Sequence, residues 1–300
     1  MLSAKLHNGG IISSSEYNES THGTRIYCLD KNCNAPLIYI DAAEEGRVAH
    51  FKTSGKGDSK HVANCGFYQR LDLVESISKV KEYQAEVLNK GVKEIVIRLS
   101  MSGLDPDKEK NTTEREQSEK TKKEVKLKNE NLTPQSISSV KGVVKLLTEY
   151  EPDILSSILV NVGGGRKVPI SELVVNQEQA HELLWNDNVL QNVGYFVYGK
   201  VTKLIKLEKV MYITLEENSV PFTIVIFQKH WKEFTYTEKQ LVGKNVLVFG
   251  NLRKNEYKDQ QKTEMIIKSD RYLQTFQRKP KNIQEDSEPN SHMSSNNKRV

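Results

Sequence analysis

The sequence predicts an α+β multidomain chain: a small N-terminal module held by a metal, a mixed α/β middle segment, and a C-terminal five-stranded β-barrel. Three observations predict it. All three cysteines, Cys28, Cys33 and Cys65, fall in one early window of the 300 residues. Two polar stretches, one internal and one terminal, divide the chain. From Gly194 onward the sequence breaks into short β-branched and aromatic runs bounded by turn formers. Apolar residues make up 37% and charged residues 28%, which suits small cores joined by polar connectors.

The first unit is placed at residues 1–104. Its later part, Gln69 to Lys90, carries Leu71, Val74, Ile77, Val80 and Val87 at helical spacing, with Gly91 as a stop. A strand follows over Val92 to Leu99, with Ile95, Ile97 and Leu99 on one face. Residues 105–131 are nearly all charged or polar. Val125 and Leu127 are the only large apolar side chains between 105 and 130, so burial cannot offset ordering and a charged linker is predicted.

Residues 132–193 form the middle unit. Ser136 to Glu149 reads as a helix, ended by Pro152. Ile158 to Val162 and Lys167 to Ile170 flank Gly163-Gly164-Gly165 and read as a hairpin. The glycine run lacks the Gly-Lys-Ser/Thr ending of a phosphate loop. A further helix spans about Gln177 to Leu190. The third unit, 194–277, gives three strands, a helix over Trp231 to Leu241, then two more strands. The tail, 278–300, is polar without periodicity and is predicted to be disordered.

The chemistry concentrates in the first unit. Cys28 and Cys33 are separated by four residues and His61 and Cys65 by three, about thirty residues apart. Thiolate and imidazole are the donors Zn²⁺ takes in a tetrahedral structural site. Cys28, Cys33, His61 and Cys65 are therefore the expected ligands, with His50 as the alternative fourth. Four protein ligands leave no open position, so the ion is structural and no metal catalysis is expected. The run KLHNGGIISSSE…RIYCLDKNCNAPLIYI…GRVAHFKTSG…HVANC resembles the N-terminal module of the competence protein CoiA-like family, over about residues 5–70. Its cysteine spacing is wider, and Thr53 stands where that family has the second histidine of His-Phe-x-His. The resemblance implies a following nuclease-like domain, which needs an acidic residue and a Glu-x-Lys pair. The nearest match, Glu124-Val125-Lys126, lies in the charged linker, so no catalytic residue is assigned.

The third unit is similar to the OB-fold superfamily, a five-stranded Greek-key barrel with a helix between its third and fourth strands. Residues 194–277 carry 14 Lys/Arg against 9 Asp/Glu, a surface suited to phosphate. Alternation directs Val197, Gly199 and Val201 inward, and Tyr198, Lys200 and Tyr212 outward. Lys203 and Lys206 follow the first strand. Arg253, Lys254, Tyr257 and Lys258 lie in the loop between the fourth and fifth strands. Rings that stack on bases, with cations that follow phosphates, suit single-stranded DNA.

The expected function is non-catalytic nucleic-acid binding. A CoiA-like nuclease and a scaffold with a protein partner are the alternatives. No run of 18 apolar residues and no secretory leader appear, so a cytoplasmic location without membrane insertion is expected.

Overall fold

The computed structural model describes residues 1–42, 48–89, 94–107, 136–215, 220, 222–257 and 260–278. Most of the charged connector with Glu124, the tail beyond 278, Gly91 and Lys258 lie outside the described residues. Among the described residues the architecture is mixed, with four sheets and helices of 4 to 17 residues. No helix among the described residues is long and apolar enough to cross a membrane.

In the N-terminal part, β1 (Ser3–Leu6) and β2 (Ile11–Ser13) form an antiparallel hairpin. A single helical turn, α1 (Glu19–His22), is capped by the Asn18 side chain, and β3 (Ile26–Tyr27) pairs with β1. A separate ribbon joins β4 (Ile38–Ile40) to β5 (His50–Lys52). The apolar core here is small: Ala4, Tyr17, Ile26, Leu37 and Phe51 form one cluster, and Ile11 and Leu29 pack with Tyr83 and Val87 in another.

Helix α2 (Leu73–Asn89) starts later than its apolar spacing predicts. The Asp72 carboxylate accepts from the N–H groups of Val74 and Glu75, and Glu75 accepts from the N–H of Asp72. This reciprocal cap fixes the first turn. Strand β6 (Ile95–Leu99) then pairs in parallel with β7 (Ser136–Ile137) and β8 (Ile158–Gly163). The helix and strand placed by sequence with the first unit thus share a sheet and core with the middle one. Leu73, Ile77, Val80 and Ile97 pack with Val143, Leu147, Leu155 and Val160. Each such side chain contributes about 1.5–3 kcal/mol through burial.

The middle unit continues through α3 (Val140–Glu149) and α4 (Pro152–Ser156), with Pro152 in the first turn of α4. Ser139 caps α3, so the helix predicted from Ser136 begins four residues later and Ser136–Ile137 is strand. Strand β9 (Arg166–Pro169) closes the predicted hairpin on β8. Gly163, Gly164 and Gly165 all have positive φ (97°, 60° and 76°), so the run is the turn itself. Then come α5 (Ile170–Leu173), β10 (Val174–Asn176) and α6 (Gln177–Trp185). Helix α6 ends five residues short of its predicted limit, where Asp187 turns to a positive φ of 57°.

The last part has β11 (Tyr195–Lys206), β12 (Val210–Leu215), β13 (Phe222–Phe227), α7 (Glu238–Leu241), β14 (Asn245–Gly250), β15 (Leu252–Tyr257), β16 (Gln260–Ile266) and β17 (Leu273–Phe276). Pairing runs β15-β16-β13-β12-β11-β14-β17, and β10 also joins β11. Seven strands therefore stand in this unit where the sequence predicted five, and β10 from the middle unit makes the sheet eight-stranded. The helix predicted over Trp231–Leu241 is a 3₁₀ segment, Gln228–Glu233, followed by the short α7.

Asp153 has no exposed surface to speak of (1%). Its Oδ2 accepts from the N–H groups of Leu2 and Ser3 at 2.7 and 2.9 Å, while Oδ1 has no partner. Burial first, then the nearby Glu151, raise its pKa to about 6. A carboxyl whose pKa rises on folding stabilises the fold below its unfolded value near 3.8. That contribution fades as pH climbs through about 6. Relative to D153N, the wild-type chain should lose on the order of 2–3 kcal/mol between pH 4 and pH 7. Urea unfolding of both chains across that range measures it, and parallel pH profiles would refute it.

Candidate metal centre and sheet face

The first ligand pair sits in the turn after β3. The N–H of Cys28 donates to the carbonyl of Ala35, and that of Cys33 to the carbonyl of Asp30. Asn34, at φ 47°, turns the chain back. The second pair lies in a short turn where the Cys65 N–H donates to the Val62 carbonyl. These turns bring Cys28, Cys33, His61 and Cys65 together, with one donor atom of each within 4.8 Å of the others.

The individual spacings suit one ion. Cys28 Sγ and Cys65 Sγ are 3.6 Å apart. His61 Nδ1 lies 3.4 Å from Cys33 Sγ and 3.5 Å from Cys65 Sγ. Zinc bond lengths imply tetrahedral edges of about 3.8 Å between thiolates and about 3.6 Å from thiolate to imidazole. No disulfide joins the three cysteines. The Cys65 thiol is held down to about 5, chiefly by its contact with Cys28, then by His61 and the Phe67 N–H. The same contact and burial push Cys28 up. His50 is elsewhere: it sits on β5, and its Nδ1 lies 3.0 Å from the Val48 carbonyl oxygen.

The residues expected to form one nucleic-acid face divide. Tyr198 is a correction. It does point away from Val197, but that side of β11 packs with Phe196, Leu247 and Phe249 against the middle core. The first half of β11 lies between two cores, so Tyr198 is largely covered. Burial also raises the Tyr198 pKa. Lys200 is exposed, paired in register with Asn245. Lys206 and Lys254 turn to other partners. Lys206 Nζ lies 4.1 Å from the Trp231 ring centre. Lys254 pairs with Asp187 at 2.7 Å and lies over Trp185. Tyr257 ends β15, paired in register with Gln260.

A different set shares a face. A register shift between Val201 and Lys203 puts Lys203 opposite Thr214 and Ile205 opposite Tyr212. Tyr212 in turn faces Val225, and Val210 faces Phe227. Arg253 lies beside Glu264, which follows Thr223 across the sheet. This side of β11, β12, β13, β16 and β15 therefore carries Lys203, Ile205, Tyr212, Phe227 and Arg253. None of them belongs to a hydrophobic cluster of the described residues, and Phe227 is 40% exposed. The alternating residues Met211, Ile213, Ile224, Ile226 and Met265 fill one core on the other side. Sequence reading missed Phe227, although the alternation of PFTIVIF places it with Val225.

No family model and no curated protein matches this chain. Among solved structures, similarity is found to a Leishmania major Friedlin protein assigned as an aspartyl-tRNA synthetase. The identity is 13%, the TM-score 0.23, and the match covers 34% of this chain and 20% of that one. Asparaginyl-tRNA synthetase of Entamoeba histolytica is 16% identical at a TM-score of 0.21, covering 34% and 26%. The same enzyme with asparaginyl-adenylate gives 15% and 0.20, covering 31% and 23%. The matched region spans about a quarter or less of those chains.

Proposed function

We propose that this chain binds single-stranded nucleic acid, DNA in the first instance, without catalysis, and that one zinc ion holds its N-terminal part. The observation that carries the reading is the open sheet face bearing Tyr212, Phe227, Lys203 and Arg253 over a filled core. Aromatic rings accept bases of any sequence, and the two cations suit the phosphates between them.

An OB-like barrel is the proposed frame for that face. Three antiparallel strands, β11, β12 and β13, lead to β16 in parallel with β13, and β15 pairs back on β16. Strand β14 pairs with β11, and only Asn251 separates it from β15. Taking β14 and β15 as one bent strand gives the Greek-key order of that superfamily. Gly250 supports the bend. A Cβ there would stand 2.8 Å from Met265 Cγ, so the strand passes close over that side chain and glycine eases the crossing. The 3₁₀ segment and α7 occupy the usual helix position. Zinc is the ion proposed because three thiolates and an imidazole are soft or borderline donors in a closed set.

Fluorescence anisotropy with single-stranded oligonucleotides across salt tests the reading. Binding at low salt that weakens as salt rises is expected, since each phosphate contact releases counterions. No binding at low salt would reject it. Binding indifferent to salt would remove the phosphate contacts from it.

A further inference from the structure

We infer that Asp30 is a positioning residue for the metal centre, tying both ligand turns to helix α2 and thereby setting how firmly the ion is held. The inference rests on the proposed metal centre. Asp30 stands between Cys28 and Cys33 and is fully buried, where an unpaired carboxylate would be costly. All four of its contacts come from donors. Its Oδ1 accepts from the Asn32 N–H at 3.0 Å, inside the first ligand turn. Its Oδ2 accepts from the Gly66 N–H at 3.1 Å, one residue past Cys65 in the second turn. The same oxygen accepts from Lys79 Nζ at 2.7 Å and from the Tyr83 hydroxyl at 2.5 Å.

One carboxylate therefore bridges the two halves of the ligand set. Lys79 and Tyr83 are four residues apart on α2 and present one face to it. The turn packs closely on that face. A Cβ at Gly66 would stand 2.6 Å from the Tyr83 hydroxyl oxygen. The Phe67 ring stacks on Tyr83 at 5.7 Å and 6°. The other side of α2 is anchored by Leu73, Ile77 and Val80 in the large core. Metal position is thus referred to a rigid helix, not to two exposed turns.

The charge pattern fits this role. Three thiolates and Zn²⁺ leave one net negative charge, and Asp30 adds another nearby. Lys79 offsets it from within hydrogen-bond reach. In D30N, the amide nitrogen must face a donor whichever way it turns, because every partner of the carboxylate donates. The metal ligands themselves stay unchanged. Partners outside the ligand set typically alter metal affinity about 10–100-fold.

Cobalt substitution with chelator competition tests the role. D30N should bind Co²⁺ about 10–100-fold more weakly than wild type, with the same thiolate-to-cobalt and ligand-field bands. Y83F keeps the ring and loses one donor, so it should weaken binding by a smaller factor, about tenfold or less. Melting of the metal-free chains separates a general folding defect, which would lower both metal-free and metal-bound midpoints equally. Wild-type affinity in both D30N and Y83F overturns the role of Asp30 and leaves the metal centre standing. A wild-type chain that takes up no cobalt overturns the centre and this role with it.

Discussion

Stripping the metal with a strong chelator is expected to unfold the ligand turns and the small strands around them, while the core shared by α2, β6 and β8 persists. The reason is the size of the N-terminal core. Ala4, Tyr17, Ile26, Leu37 and Phe51 form its main cluster, and Ile11, Leu29 and Ala35 are buried beside it. So few buried apolar side chains leave the ordering entropy of the segment largely unopposed without the metal. A structural zinc site supplies on the order of 10 kcal/mol of binding free energy, which counts as folding free energy when the site forms only on folding. Cys28→Ser and Cys65→Ser should act like the chelator. Both sulfurs are buried, and a hydroxyl is a poor zinc ligand. The loss should deepen as pH falls, because thiolates and neutral imidazole bind the metal and protons compete. Elemental analysis should find one zinc per chain. Limited proteolysis should then show the first seventy residues cut after chelation. A chelated chain that resists the protease as the untreated chain does would reject the centre.

Replacing Tyr212 with alanine should weaken single-stranded DNA binding by about 5–150-fold, the equivalent of about 1–3 kcal/mol of stacking per base. Tyr212 is half-buried on a face that no described hydrophobic cluster covers. Phe227→Ala should have an effect of the same kind. Tyr198→Phe serves as the control, because that ring packs against the middle core and its substitution should leave affinity unchanged. Lys203→Gln and Arg253→Gln should each make the salt dependence shallower, by about 0.7 in the slope of log affinity against log salt for a single strand. Both side chains are exposed, so their loss should leave the fold intact. Equal affinity for wild type and Y212A, or loss on Y198F alone, would reject this face. Urea melts beside each titration guard against a folding effect.

The grouping of Cys28, Cys33, His61 and Cys65 was legible because its signal is local. Turns of three to five residues bring thiol and imidazole to one point whatever the rest of the chain does. Spacing alone left His50 beside His61. The choice followed from β5, where strand pairing carries His50 to the Val48 carbonyl. Asp30 carried no signal, because a carboxylate within a polar turn reads as solvated. Its role depends on Lys79 and Tyr83, which lie some fifty residues on and arrive only when α2 packs.

The sequence by itself determined the elements: the helical spacing of α2, the glycine turn between β8 and β9, the alternation of β12 and the Cys/His pairs. Each is set by neighbours within a few residues. Tertiary structure alone decided what lies against each element. Alternation told that Tyr198 opposes Val197, and packing told that its side is covered by a second core. One register shift in β11 turned Lys203 toward Tyr212. Strand β6 found its partners about forty and sixty residues away, across the charged connector. A period of two fixes which residues share a side, but the free energy of burying that side belongs to whatever packs on it, and no local pattern encodes that partner.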